Sequence, residues 1–154
     1  MTKMTIYKQM KYLIDTCFLI YELKEGNTKK LETFCKENEV FITDFTLKEL
    51  KYVEHKLPNI KHFVEHFLKE NLLSYFETNI NPGEWKKEKE YLNDADENIL
   101  KKVSDASDGV IVAAAIKLRA NILTRDKHHI FTTNLENELT KYQIKVLDTF
   151  PCKE

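Results

Sequence analysis

Two apolar runs of this sequence each end abruptly in an aspartate. Residues 12–14 (YLI) lead directly into Asp15, and residues 121–124 (NILT) lead through one arginine into Asp126. An unpaired carboxylate beside a buried strand costs folding free energy, whereas open α/β sheets bind their ligands at the carboxyl ends of their strands. Both aspartates are therefore candidates for a functional site.

Two further acids stand in helical surroundings. Asp108 begins the alanine-rich segment DGVIVAAAIKLRA, and Glu49 falls within the apolar helical pattern of residues 45–57. Carboxylates that converge on one point repel each other without a cation, and they bind hard cations such as Mg²⁺ and Mn²⁺. If Asp15, Asp108 and Asp126 meet, with Glu49 as a fourth member, they could hold a metal that activates water for phosphodiester hydrolysis.

Each acid also has an ordinary structural interpretation. Asp15 can cap the helix that follows it, Asp126 can form an Asx turn, and Asp108 can simply complement a helix dipole. Glu49 can be a solvated helix residue. Asp105 lies one turn before Asp108 and fits a helix cap or a supporting acid, so the choice of metal ligand between these two aspartates stays open.

The elements that must position these acids alternate between strand and helix. Short apolar runs predict strands at residues 11–14, 39–43, 72–76, 121–124 and 144–147. Apolar spacing predicts helices at residues 16–25, 29–38, 45–57, 60–70, 84–92, 97–103, 108–119 and 132–141. Alternating strands and helices favour a mostly parallel sheet that is covered on both faces.

Several local roles follow from these elements. Asp44 is the expected N-cap of the helix at 45–57. Ser104 or Ser107 is the expected N-cap of the helix that ends at residue 119. Residues 17–20 are expected to form the apolar face of the first helix, and Trp85 is expected to anchor the helix at 84–92.

Composition excludes several protein classes. The chain has 154 residues, a net charge of -1, 42% apolar residues and 32% charged residues. This length suits one domain, and the charge argues against a surface that binds nucleic acid everywhere. Cys17, Cys35 and Cys152 form no CxxC pair, which is typical of reduced thiols in a cytosol. No run resembles a membrane span or a signal peptide, so we expect a cytoplasmic protein without membrane contact.

Taken together, the motifs resemble those of the PIN-domain ribonucleases. The matching segments are YLIDTCFLI at residues 12–20, Glu49, DGVIVAAA at residues 108–115 and LTRDKHHIF at residues 123–131. Within that family the sequence is most similar to the prokaryotic type that includes VapC toxins. The resemblance extends from about residue 11 to residue 148.

The resemblance implies a three-layer α/β/α fold with strand order 3-2-1-4-5, in a single domain over residues 1–154. It implies Mg²⁺- or Mn²⁺-dependent endonuclease activity on single-stranded or structured RNA. Asp15, Glu49, Asp108 and Asp126 would be the metal carboxylates. The chain would then be the toxin of a toxin–antitoxin pair, with an inhibiting antitoxin protein as its partner, or an RNA-processing nuclease. A homodimer is expected by the same analogy.

Side chains near the acids could support such a site. Thr16 and Thr124 can donate hydrogen bonds to carboxylates or to metal-bound water, as outer partners of metal sites do. Asp105 could also act as a supporting residue next to the metal ligands. Arg125 and His128 could contact RNA phosphates, although exposed loop residues of these types are just as ordinary.

Two other functions fit part of the pattern. A PIN fold that binds RNA or protein without cutting is one, although the complete set of acids argues against it. A haloacid-dehalogenase phosphatase is the other. Such phosphatases need an acid two residues after the first aspartate, and Cys17 occupies that place here.

Overall fold

Five parallel strands form one sheet in the order β3-β2-β1-β4-β5. The computed structural model describes residues 10–52, 59–126 and 131–151. The strands are β1 (Lys11–Ile14), β2 (Glu39–Thr43), β3 (Ser74–Phe76), β4 (Asn121–Leu123) and β5 (Val146–Leu147). This topology confirms the predicted α/β fold and its strand order.

Helices connect the strands and lie on both faces of the sheet. They are α1 (Thr16–Lys24), α2 (Thr28–Glu37), α3 (Asp44–Tyr52), α4 (Ile60–Lys69), α5 (Trp85–Ala95), α6 (Ala106–Leu118) and α7 (Thr133–Thr140), with a 3₁₀ turn at Leu100–Lys102. Among the described residues, no helix is both long and apolar enough to cross a membrane.

The central strand β1 joins two hydrophobic cores. Successive side chains of a strand point to opposite faces, so Leu13 packs in the core beneath α5, α6 and α7, whereas Ile14 packs in the core beneath α1, α2 and α4. Both side chains are completely buried. Burying a side chain of this size stabilises the fold by about 1.5–3 kcal/mol, which makes β1 a rigid support for the residue that follows it.

Helix α6 is buried nearly all round. Its residues from Gly109 to Ile116 are all buried, because the sheet covers one side and α5 covers another. A Cβ atom at Gly109 would overlap the Leu92 side chain of α5. The glycine therefore permits a close approach of the two helices at the end of α6 that carries Asp108.

Several predicted element boundaries were wrong. Strands β3 and β5 are shorter than expected, the helix at 84–92 extends over Trp85–Ala95, and only the 3₁₀ turn Leu100–Lys102 forms within 97–103. Helix α3 is described to Tyr52, and the rest of its predicted extent, residues 53–57, lies outside the described residues. Trp85 is 61% exposed and is therefore not an apolar anchor.

Two predicted helix caps were also wrong. The carboxylate of Asp44 accepts hydrogen bonds from Thr78 N (2.7 Å), Thr78 Oγ1 (2.7 Å) and Asn79 N (2.9 Å), and so it binds a distant loop. Thr43 Oγ1 accepts instead from Thr46 N (3.0 Å) at the start of α3. Helix α6 is capped by Asp105, whose side chain accepts from Ser107 N (3.0 Å).

Candidate metal centre

Asp15 lies where β1 ends and both of its carboxylate oxygens are engaged. Oδ1 accepts from Thr16 N (2.8 Å) and caps α1. Oδ2 accepts from Thr124 Oγ1 (2.8 Å) on the neighbouring strand connection. The backbone N–H of Asp15 donates to Leu123 O (2.9 Å) and continues the ladder between β1 and β4. The cap interpretation and the site interpretation of Asp15 are therefore compatible.

Thr124 joins the two strand-end aspartates. Its side chain is completely buried, and Oγ1 donates to Asp15 Oδ2 (2.8 Å) while it accepts from Asp126 N (3.1 Å). One hydroxyl thus sets the positions of both residues. It does so between β1 and β4, where the direction of the strand order reverses and open α/β sheets bind ligands.

Glu49 reaches the same place from α3. Thr16 Oγ1 donates to Glu49 Oε1 (3.0 Å), so the residue after Asp15 holds the glutamate. The two partners are 33 residues apart in the chain. This contact distinguishes Glu49 from a solvated helix residue.

The four acids line one cavity of about 260 Å³: Asp15, Glu49, Asp108 and Asp126. Asp108 enters it from the first turn of α6. Asp105 is exposed and is not among the lining residues. Between these two aspartates, the geometry therefore favours Asp108 as the one that faces the cavity.

A smaller cavity of about 160 Å³ lies between α3 and α4. Its described lining is mostly leucine, isoleucine and valine, and Glu65 is the one carboxylate among the residues that line it. It lacks a convergent donor set, so the acidic cavity is the better candidate for chemistry.

Burial and mutual repulsion perturb the acids of the site. Burial and then the charge of Asp15 raise the pKa of Glu49 to about 7. Burial also raises the pKa of Asp15, assisted by the charge of Asp126 and opposed by three hydrogen bonds. The pKa of Asp108 is raised by burial, by Asp105 and by Asp126. A bound divalent cation would replace this repulsion with attraction.

The donor set fits a hard divalent cation. Carboxylate oxygens are the ligands that Mg²⁺ and Mn²⁺ prefer. Asp15 and Asp126 follow strands, Asp108 lies in the first turn of α6, and Glu49 lies farther along α3. Donor atoms of Asp15, Cys17 and Asp126 lie within 4.8 Å of one another, the one such group found among the described residues.

Cys17 lines the cavity, although its position predicted the apolar face of α1. Its Sγ lies 3.4 Å from Asp15 Oδ2 and 3.3 Å from Thr124 Oγ1, and it accepts from Arg125 N (3.2 Å). Burial and the charge of Asp15 raise the pKa of this thiol to about 12. The one sequence signal was its place two residues after Asp15.

Glu88 of α5 also escaped prediction. It is 1% exposed and accepts from Ser107 Oγ (2.6 Å) and Gly83 N (3.3 Å). Its charge contributes to the raised pKa of Glu49. The polar segment around it gave no signal, because a glutamate in a charged helix is usually solvated.

Of the two residues expected to contact RNA phosphates, Arg125 contacts other parts of the protein and His128 lies outside the described residues. The Arg125 guanidinium lies 3.9 Å from the ring centroid of Tyr21, and its Nη1 donates to Asp148 O (2.9 Å). Arg125 thus has intramolecular partners at the edge of the site. His128 lies within 127–130, outside the described residues.

Fold and site together define a doubly wound α/β protein with an acidic centre at its topological switch point. The PIN domain family model matches residues 12–132. The chain therefore belongs to the PIN-domain family, as its motifs predicted.

Solved structures share the fold. A chain from the crystal structure of VapBC2 from Rickettsia felis, bound to a DNA fragment from their promoter, matches with a TM-score of 0.56 and 17% identity. The match covers 89% of this chain and 97% of that chain. No curated protein matches the sequence.

Proposed function

We propose that this protein is a Mg²⁺- or Mn²⁺-dependent endoribonuclease that hydrolyses RNA phosphodiesters. One observation carries the proposal: Asp15, Glu49, Asp108 and Asp126, drawn from separate elements, line a single cavity at the switch point of a PIN domain. Burial raises the pKa values of Asp15, Glu49 and Asp108, and neighbouring carboxylates raise them further, so a bound cation would offset an unfavourable arrangement of charge.

Asp15, Glu49, Asp108 and Asp126 would hold the metal. A bound divalent cation supplies a water of lowered pKa and polarises the phosphate. Thr124 orients Asp15, and Thr16 orients Glu49, through hydrogen bonds of 2.8 and 3.0 Å. Glu49, with a pKa of about 7, is about half protonated in the metal-free site near neutral pH, and it would release that proton as a cation binds. Cleavage would leave a 5′-phosphate and a 3′-hydroxyl.

The same proposal covers substrate, partners and location. The substrate is single-stranded or structured RNA, and exposed Arg125 would contact a phosphate by exchanging its present contacts with Tyr21 and Asp148 O. An antitoxin protein is the proposed inhibitor, supported by the likeness to a chain of VapBC2. We also propose a homodimer in the cytoplasm, a location consistent with the free thiols of Cys17 and Cys35.

The test is cleavage of a mixed set of labelled RNAs with Mn²⁺, comparing wild type with Asp15→Asn. Asparagine keeps the size of Asp15 and can still accept from Thr16 N, but it removes the charge and the second acceptor oxygen. We expect cleavage by wild type, loss with chelator, and a reduction of at least about 100-fold in the variant, because even outer partners of metal sites contribute about 10–100-fold. Equal activity of both proteins would identify a contaminant.

Calorimetry with Mn²⁺ separates the remaining outcomes. Metal binding without cleavage would support the metal centre and show that the RNAs tested are not substrates. Neither binding nor cleavage would favour a PIN fold that binds RNA or protein without cutting it.

A further inference from the structure

Cys17 gives the acidic cavity a donor that a hard-metal site does not need. Its Sγ is 3.4 Å from Asp15 Oδ2, and the donor atoms of Asp15, Cys17 and Asp126 all lie within 4.8 Å of one another. The sulfur also lies 3.3 Å from Thr124 Oγ1 and accepts a hydrogen bond from Arg125 N (3.2 Å), so it takes part in the polar network of the site.

The spacing suits one ion with both sulfur and oxygen ligands. Zinc binds sulfur at about 2.3 Å and carboxylate oxygen at about 2.0–2.2 Å, so a sulfur and an oxygen ligand of one tetrahedral ion lie about 3.6 Å apart. Cys17 Sγ lies 3.4 Å from Asp15 Oδ2, close to that separation, and a donor atom of Asp126 lies within 4.8 Å of the donor atoms of both residues.

Sulfur and oxygen donors select different metals. Thiolate favours thiophilic ions such as Zn²⁺ and Cd²⁺, which accept tetrahedral geometry, whereas Mg²⁺ requires an octahedron of oxygens and retains several waters. A thiol inside a carboxylate site therefore adds affinity for the first group and none for the second.

We propose that Asp15, Cys17 and Asp126 form a three-donor site for thiophilic divalent metals, which overlaps the carboxylate centre and makes Cys17 its metal-selecting residue. On binding, the S–H bond breaks, an S–metal bond forms and the proton passes to solvent. Zn²⁺ or Cd²⁺ bound there occupies Asp15 and Asp126 and excludes Mg²⁺ or Mn²⁺. This rests on the metal centre of the proposed function, but not on RNA cleavage.

The test is titration of the intact protein with Cd²⁺ alone, followed by the ultraviolet charge-transfer band of a sulfur–cadmium bond. Wild type is compared with Cys17→Ser, which retains a hydrogen-bonding group of similar size, and with Cys35→Ala as the matched control. Cys35 lies in the core among apolar side chains. We expect the band in wild type and in the control, and its loss in Cys17→Ser with a fall in Cd²⁺ affinity of about tenfold or more.

Competition shows whether the sulfur belongs to the carboxylate centre. Excess Mn²⁺ should suppress the sulfur–cadmium band in wild type. The Asp126→Asn variant should bind Cd²⁺ more weakly than wild type. The Cys17→Ser variant should bind Mn²⁺ with an affinity within about threefold of wild type. A band that persists in Cys17→Ser, or that Mn²⁺ does not affect, would overturn the proposal.

Cadmium NMR of the wild-type protein provides a measurement that needs no variant. Its chemical shift moves downfield with a sulfur ligand, so a shift typical of oxygen ligands alone would also reject Cys17 as a ligand. None of these measurements uses RNA. The Cys17 metal site can therefore be confirmed even if the protein does not cleave RNA, and RNA cleavage can be confirmed even if Cys17 does not bind metal.

Discussion

Replacing Glu49 by glutamine should stabilise the metal-free protein at alkaline pH. The glutamine side chain keeps the size of glutamate and can still accept the hydrogen bond from Thr16 Oγ1 (3.0 Å). It removes a charge that is close enough to Asp15 and Asp108 for each of them to raise the pKa of Glu49. The variant therefore relieves repulsion without removing the local contact.

The magnitude follows from the pKa of Glu49, which rises from 4.5 to about 7 on folding. The unfolded chain loses this proton near 4.5 and the folded chain near 7, so the folded state binds more protons between these values and loses stability as pH rises through them. Each increase of one in a pKa corresponds to about 1.36 kcal/mol, so a rise of about 2.5 in the pKa of Glu49 lowers the stability of the folded state by at most about 3.4 kcal/mol. Partial solvent screening of Glu49 reduces this to about 1–2 kcal/mol.

Urea unfolding with chelator, at about pH 4.5 and about pH 8, measures the effect. We expect Glu49→Gln to be more stable than wild type by about 1–2 kcal/mol at the higher pH, and by less than about 0.5 kcal/mol at the lower pH. Glu65→Gln, at an exposed position of α4, is the control and should change stability by less than about 0.5 kcal/mol at both. With saturating Mn²⁺ the order should reverse, because wild type binds the cation more tightly. A Glu49→Gln variant that is less stable than wild type at the higher pH without metal would refute the reasoning.

Three further predictions concern single residues. Asp108→Asn should lower Mn²⁺ affinity in calorimetry by about 10-fold or more, whereas Asp105→Asn, which keeps a good N-cap, should leave it within about threefold; the opposite ranking would identify Asp105 as the ligand. Thr124→Val should lower the free energy of unfolding, measured with urea, by about 1–3 kcal/mol and weaken Mn²⁺ binding about 10-fold, because Asp15 Oδ2 loses the hydrogen bond from Thr124 Oγ1. Thr124→Ser, which keeps the hydroxyl, should have stability and Mn²⁺ affinity close to those of wild type. Glu88→Ala should cost about 1–3 kcal/mol because Ser107 Oγ and Gly83 N lose their acceptor, and Glu88→Gln should cost less; equal costs would show that charge, not hydrogen bonding, decides.

Sequence patterns predicted the central strands better than the edge strands. The apolar runs of β1 and β2 have the bounds that the structure shows, because both strands are buried between two helical layers and read as continuous apolar segments. Strands β3 and β5 pair on one side only. Their outer residues lack a partner that would extend the ladder, and so they are shorter than the apolar runs that predicted them.

Local rules failed where a distant residue offered a stronger partner. Asp44 satisfies every local criterion for an N-cap, yet its carboxylate binds Thr78 and Asn79 and has a lowered pKa, because these hydrogen bonds outweigh the effect of burial. Near the 3₁₀ turn Leu100–Lys102, Lys102 Nζ donates to Glu138 Oε1 (2.9 Å) of α7. Within 97–103, where helical spacing predicts a regular helix, only this 3₁₀ turn forms.

By itself, the sequence determined the alternation of strands and helices, because apolar periodicity depends on neighbouring residues. The strand order and the set of four candidate acids followed from the resemblance of its motifs to the PIN-domain family. Only the tertiary structure decided which of these acids share a cavity with Cys17, and that Asp108 faces it in place of Asp105. The hydrogen bonds responsible join residues 33 to 109 positions apart. No local pattern records such contacts, since they exist only once β1, β4 and α3 have packed together.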